Sequence, residues 1–325
     1  MTTITRVNEA AIVNVEYFSD TTIDEFVASR HGSANSCKTY RNTTRRLVKY
    51  FAVNCIVQPT TADFDTYINT LRAAGKSAST LRLYSTVGKM FFAYLEKQGI
   101  YRDVTKDAAP LKLRKSKTHN KKALTDTQAK LLLSAVKGDN EIALRDRCIV
   151  ALALQTGLRT VEIERANIGD LKDEDGYYSL AVQGKGRLAK DEFVKVALPV
   201  AKLIRAYLNL RGVANENAPL FASTSHNVGW AKNQYGVRLS AQSIGKLIKR
   251  YMVATDIVKK GDRTISAHST RHYAATCAIK AGVDIREVSA MLRHTSITIT
   301  ATYLHDLSLE TRRAELAVAD VLFCA

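Results

Sequence analysis

SAHSTRHYAATCAIKAGVDIREVSAMLRHTSITITATYLH, residues 266–305, concentrates more reactive side chains than any other part of the chain. His268 and Arg271 stand three apart, so at the start of a helix they share one face. Ser266 and Ser269 beside them leave backbone amides able to meet an anion at a helix N-terminus. His294 follows in LRH, and Tyr303 stands nine positions after it in a helical pattern with Ile297, Ile299 and Leu304. Three short helices are predicted: Ser269–Ala281, Asp284–Leu292 and Ser296–His305. Taken singly, a capping or core histidine and a core tyrosine account for His268 and Tyr303 equally well.

Upstream, Arg159 stands in TGLRTVE, directly after the apolar helix CIVALALQTG, which Gly157 stops. It is anchored at its backbone with its head free. Lys185 lies in GKGRLAK, a basic hairpin between two alternating stretches, 177–183 (YYSLAVQ) and 192–198 (EFVKVAL), that read as strands. Gly184 and Gly186 allow a ligand close to the backbone there. Thr125 is placed to cap a helix through Leu131 and Leu132, further helices fall at 199–211 and around 241–254, and 215–240, with Trp230, reads as loop. Thr311–Leu322 is an amphipathic helix carrying Leu316, Val318, Val321 and Leu322. Residues 123–325 therefore form a mainly helical domain with a small antiparallel sheet.

Residues 20–110 form an all-helical domain, preceded by a loose polar leader at 1–19. Ile23, Phe26 and Val27 open one helix. Ser36 caps a second with Tyr40, Leu47, Tyr50 and Phe51, and Thr60 and Thr61 precede a third that Gly75 stops. Ser77 or Ser79 caps a fourth, whose stripe runs from Leu83 to Leu95 and which Gly99 ends. The second helix carries Lys38, Arg41, Arg45, Arg46 and Lys49 with no acid between them, and Arg82 and Lys89 join from the fourth. That lack of local pairing marks a face toward phosphates. LKLRKSKTHNKK, residues 111–122, has six basic residues, Lys115 and Lys117 among them, and no acid. Self-repulsion keeps it extended, as a linker able to lie along DNA.

The whole chain of 325 residues has a formal charge of +17, which attracts polyanions. No apolar run of 18 residues is present, and the N-terminus has no basic patch before an apolar stretch, so a membrane partner is not expected and the cytoplasm is. Five scattered cysteines without a C-x-x-C pair argue against a zinc finger or disulfide framework. Cys148 and Cys277 read as small core residues, and Cys37 and Cys55 less firmly so.

Arg in TGLR, Lys in a GKG hairpin, His-x-x-Arg, His in an L-x-H segment and then Tyr, in that order, resemble the tyrosine recombinase (phage integrase) family, with the two-domain layout of its Xer-type members. The resemblance covers nearly everything from residue 20 onward. It implies an N-terminal SAM-like core-binding domain and a C-terminal catalytic domain that clamp DNA between them. It also implies an active site of Arg159, Lys185, His268, Arg271, His294 and the nucleophile Tyr303, with Glu162 in support. The two guanidiniums suit the oxygens of a phosphorane, and they stay charged at physiological pH. The implied reaction is site-specific strand cutting and rejoining through a 3′-phosphotyrosine, without metal, ATP or other cofactor. The implied partner is double-stranded DNA with inverted-repeat core sites, bound by a homotetramer; accessory proteins are compatible with this. Integration or excision of a mobile element and Xer-like resolution both fit. Type IB topoisomerase-like relaxation is the rival from the same chemistry, and a regulator that has lost catalysis would need one of the six positions altered. Two departures stand out. Arg293 replaces the frequent glycine before the third-motif histidine, where it is either a phosphate contact or simply exposed, and Thr270 replaces a frequent leucine before Arg271.

Overall fold

The computed structural model describes residues 18–111, 122–184, 187–224, 236–294 and 296–301. The chain divides into two compact units, Met1–Lys117 and Thr118–Ala325. No described helix is long and apolar enough to cross a membrane.

In the first unit α1 (Asp20–Ala28), α2 (Ala34–Val53), α3 (Thr61–Ala73) and α4 (Ala78–Lys97) each begin at a hydroxyl N-cap. Ser19, Ser33, Thr60 and Ser77 accept from the amide three residues on, at 3.1, 3.2, 3.4 and 3.3 Å. The cap of α2 is thus Ser33, one turn earlier than the expected Ser36. The core is aromatic: Phe26, Phe51, Phe64, Phe91 and Phe92 are all buried, with Phe26 and Phe91 ring centroids 5.3 Å apart. Gly88 makes this packing possible, because a Cβ there would lie 2.5 Å from Phe64 Cε2. Phe18 is buried in the same cluster and Ser19 caps α1, so the last two residues of the expected leader belong to the fold. At the other end Leu111 packs on this core, and 112–121, with Lys115 and Lys117, lie outside the described residues.

The basic residues of α2 fall on one face, but they are not all unpaired as local sequence suggested. Arg41 Nε meets Asp24 at 2.6 Å and Arg45 Nε meets Asp20 at 2.9 Å, both acids coming from α1. Lys38 and Lys49 are exposed and ion-paired to no described residue, and Arg82 is exposed on α4.

The second unit is built on α6 (Glu141–Thr156), whose residues Cys148–Leu154 are buried on every side. Around it stand α5 (Asp126–Ser134), α8 (Leu198–Arg211), α9 (Ala241–Ala254) and α10 (His268–Lys280), followed by α11 (Ile285–Leu292) and α12 (Ile297–Ala301). Thr125 caps α5 as expected, in a reciprocal box with Gln128 (3.0 and 3.2 Å). The short α7 (Thr160–Arg165) leads through a 3₁₀ turn to an antiparallel sheet ordered β1 (Leu171–Glu174), β2 (Tyr177–Val182), β3 (Glu192–Val196). Register Leu180↔Val194 turns Leu180, Val182, Val194 and Val196 into the core. Asp146, fully buried on α6, accepts from Arg145 (2.7 Å), Arg250 (3.0 Å) and Tyr251 (3.0 Å), which bolts α9 to the central helix. Cys148 is buried as expected; Cys277 is exposed, because α10 turns Ala274 and Ala275 inward instead, and Cys55 is exposed at a positive-φ turn.

Candidate active site

Arg159 is the N-cap of α7, reached directly from the Gly157 turn that ends α6. Its head is not free, contrary to the expectation from sequence. Glu162 accepts from the Arg159 backbone amide at 2.7 Å and from Nη1 at 2.9 Å. Glu162 is wholly buried and also binds Arg293 Nη2 at 2.7 Å. Burial, the largest single influence, pushes the Glu162 carboxyl up; the Arg293 hydrogen bond and charge, followed by Arg159, outweigh it and leave the group below its ordinary range.

Arg271 is 1% exposed on the first turn of α10. Its Nη1 donates to the carbonyl of Gly157 at 2.8 Å, and its Nη2 donates to the carbonyl of Leu292. Both acceptors stand at helix C-termini, where backbone carbonyls carry partial negative charge. One side of the guanidinium is therefore fixed by the fold. His268 is exposed at the start of α10, with its ring edge-on to that of the buried His272 at 4.9 Å. His294 follows the left-handed turn at Arg293 that ends α11. Its Nδ1 shares a 2.7 Å hydrogen bond with Thr300 Oγ1, so α12 fixes its ring. When the Thr300 hydroxyl donates, Nε2 carries the proton and can donate to an oxyanion.

Through its two carbonyl acceptors Arg271 draws together the segment before Arg159 and the segment before His294. A cavity of about 1070 Å³ is lined by Arg159 and His268, and by Lys246, Arg250, Lys260 and Arg263, against one acid, Asp262, among its described lining residues. The charges of Arg271, Arg159, His268 and Arg293 all act on the His294 ring. Burial first, and then those cations, hold His294 down at about 4 from its ordinary 6.5. The unfolded chain thus binds the proton more readily than the folded one between these values. The His294 contribution to stability is present above about 6.5 and is lost as pH falls toward about 4. Heteronuclear NMR of the DNA-free protein should show a neutral His294 ring at pH 5.5; a charged ring there would contradict the placement of the cations.

Lys185 and Tyr303 lie outside the described residues, as does the helix expected at 311–322. By chain order Lys185 falls between β2 and β3, and Tyr303 two positions after the end of α12. The contribution that sequence reading missed is that of Arg293. It is neither exposed nor directed to a phosphate: its side chain is 5% exposed, and Nη1 also donates to the Met291 carbonyl at 2.7 Å. No local signal reveals this, because its partner Glu162 is 131 residues away.

Guanidiniums and imidazoles of this kind are the side chains suited to the oxygens of a phosphodiester. The model of the phage integrase family matches residues 122–310, and that of the phage integrase N-terminal SAM-like domain matches 23–99. The chain is 28% identical over 281 residues to tyrosine recombinase XerA of Pyrococcus furiosus (86% of this chain, 88% of that one). It is 28% identical over 247 residues to tyrosine recombinase XerC of Alcanivorax borkumensis (76% and 75%). Its fold is similar to that of a XerH site-specific recombinase bound to palindromic difH substrate in a post-cleavage complex. The TM-score is 0.68 at 19% identity, covering 94% of this chain and 85% of that one. A lambda integrase tetramer bound to a Holliday junction aligns with TM-score 0.63 at 16% identity, covering 86% and 74%. The chain belongs to the phage integrase family. It is a tyrosine-type site-specific DNA recombinase.

Proposed function

We propose that the chain cuts and rejoins DNA through Tyr303, with Arg159, Lys185, His268, Arg271 and His294 as the other catalytic residues. The observation that carries this is that Arg271 bridges the carbonyl of Gly157, two residues before Arg159, and that of Leu292, two before His294, while Arg159 and His268 line one basic cavity. The Tyr303 oxygen attacks the scissile phosphorus while its proton passes to His268. Arg159, Arg271 and His294 Nε2–H stabilise the charge on the equatorial oxygens. The bond from phosphorus to the 5′-oxygen breaks, and Lys185 protonates that oxygen. The 3′-phosphotyrosine keeps the energy of the phosphodiester, so the 5′-hydroxyl of a partner strand reseals it by the reverse steps without ATP.

In this reading residues 20–110 are the core-binding domain, 111–122 a linker along the DNA and 123–325 the catalytic domain. Lys38, Lys49, Arg82, Lys115 and Lys117 serve as phosphate contacts. Arg41 and Arg45 act there only by sharing or leaving their acids on α1. Exchange of four strands calls for a homotetramer on two inverted-repeat sites, with 311–322 joining neighbours. The recombinase relatives favour this over DNA relaxation. Trapping the covalent complex on genomic DNA and sequencing its ends tests the reading and identifies the site. Tyr303→Phe should bind that site and give no covalent product, and an adduct that persists would place the nucleophile elsewhere.

A further inference from the structure

Arg293 adopts φ 53°, a left-handed conformation that is strained for a residue with a Cβ and that glycine adopts freely. An arginine is kept at this position although the turn itself asks for glycine. Its guanidinium is consumed inside the protein. Nη2 meets Glu162 at 2.7 Å, Nη1 meets the Met291 carbonyl at 2.7 Å, and Nε lies 3.5 Å from Glu162 and 3.7 Å from Glu192. Glu162 in turn holds both the backbone and the head of Arg159. Glu192 opens β3, directly after the connection that carries Lys185, and also meets Arg187 at 3.4 Å. Arg187 meets Asp191 at 2.8 Å, and Arg165 Nη1 donates to the Gly184 carbonyl at 3.0 Å. One run of alternating charges therefore links the segment before His294, the carboxylate under Arg159 and the stem of the β2–β3 hairpin.

We propose that Arg293 is a positioning residue. Through Glu162 it sets the Arg159 guanidinium, and through Glu192 it ties the foot of β3, from which the connection bearing Lys185 departs, to the same cluster. This rests on the roles given above to Arg159 and Lys185. The buried environment makes the arrangement demanding: Glu162 without Arg293 would share one cation where it now shares two. A shift of about 1 Å in a reacting group costs about 100-fold in rate.

The test uses the full chain, on the DNA duplex recovered by covalent capture, in single-turnover cleavage. Arg293→Gly suits the backbone but removes every ion pair. Arg293→Lys keeps the charge but not the fork. Glu192→Gln weakens the arm to the hairpin, with the Arg187 pair inside it, and leaves Glu162 and Arg159 untouched. Each is assayed on the ordinary phosphodiester and on a 5′-bridging phosphorothioate, whose thiolate departs without needing a proton. Arg293→Gly should fold and bind DNA yet cleave the ordinary phosphate about 100-fold more slowly. Arg293→Lys should fall between it and the parent. Glu192→Gln should lose about tenfold on the phosphate and recover on the phosphorothioate, and Arg293→Gly should recover only in part, because Arg159 is misplaced as well. Parental cleavage of the phosphate by Arg293→Gly overturns the proposal, and so does parental cleavage by Glu192→Gln, which is near the surface and keeps the variant set informative if Arg293→Gly fails to fold. Arg159→Ala and Tyr303→Phe run alongside. Should those two cleave normally, the underlying assignment fails; should they be inert while Arg293→Gly is normal, only the present inference fails.

Discussion

Replacing Arg271 with alanine is expected to abolish strand cleavage and, at the same time, to cost the second unit about 3–5 kcal/mol of stability. The two effects have one origin. The guanidinium is 1% exposed and donates to the carbonyls of Gly157 and Leu292. Without it, two acceptors at helix C-termini are left in a buried gap, each costing about 1–3 kcal/mol, and a cavity is added. For a domain of about 200 residues this lowers the melting temperature by roughly 10 °C. Loss of one preorganised charge donor alone slows a reaction by about 10²–10³. Here the rate should fall further, since Leu292 is two residues before His294 and would shift with it. Arg271→Lys should recover part of the stability and little of the rate, because an ammonium cannot span two carbonyls and a phosphate as a planar fork does. Calorimetry and single-turnover adduct formation decide the matter. An alanine variant that melts with the parent, or still forms the adduct at a comparable rate, contradicts the anchoring described above.

The second large effect concerns Gly157. It holds φ +63°, and a Cβ there would stand 2.9 Å from Leu292 Cδ2, 3.2 Å from Ala274 Cβ and 3.6 Å from Arg271 Cγ. Gly157→Ala therefore combines left-handed strain of about 1 kcal/mol with overpacking of about 1–3 kcal/mol. Gly212, which ends α8 at φ +67° with nothing within 4 Å, gives the control. Gly212→Ala should show the strain alone. The difference between the two variants in urea denaturation measures the close approach of α6, α10 and α11. Gly157→Ala should also cleave DNA poorly, because its carbonyl is one of the two that hold Arg271. Equal destabilisation of the two variants would mean that the junction can yield.

Where the signal is local, the amino-acid sequence alone makes the fold legible. Thr60 and Thr125 declare their helices by cap chemistry, and Gly157 declares the end of α6. The alternation at 177–183 and 192–198 yields β2 and β3. Strand β1 leaves no such signal. LKDE has one half-buried residue and three exposed ones, so it shows no alternation and pairs only as an edge. The basic face of α2 looks unpaired in local sequence because its acids sit on another helix. Arg159, His268, Arg271 and His294 could be picked out by type and order, but not the carbonyls that hold Arg271 or the carboxylate that holds Arg159. Such contacts span long stretches of chain and leave no periodicity behind. Arg293 is the sharpest case: an arginine in a turn reads as a solvent-facing charge, whereas here it lies almost entirely inside.

Helix α11 rests on a small apolar island of its own, Ala275, Val288 and Leu292, apart from the main core. Much of what seats it is polar: Arg271 on the Leu292 carbonyl and Arg293 on Glu162. The segment that leads through His294 toward Tyr303 is thus moored by ionic hawsers rather than cemented by grease. Its hold on the rest of the unit is set by geometry and charge at a few atoms, so a single substitution among them is felt at His294.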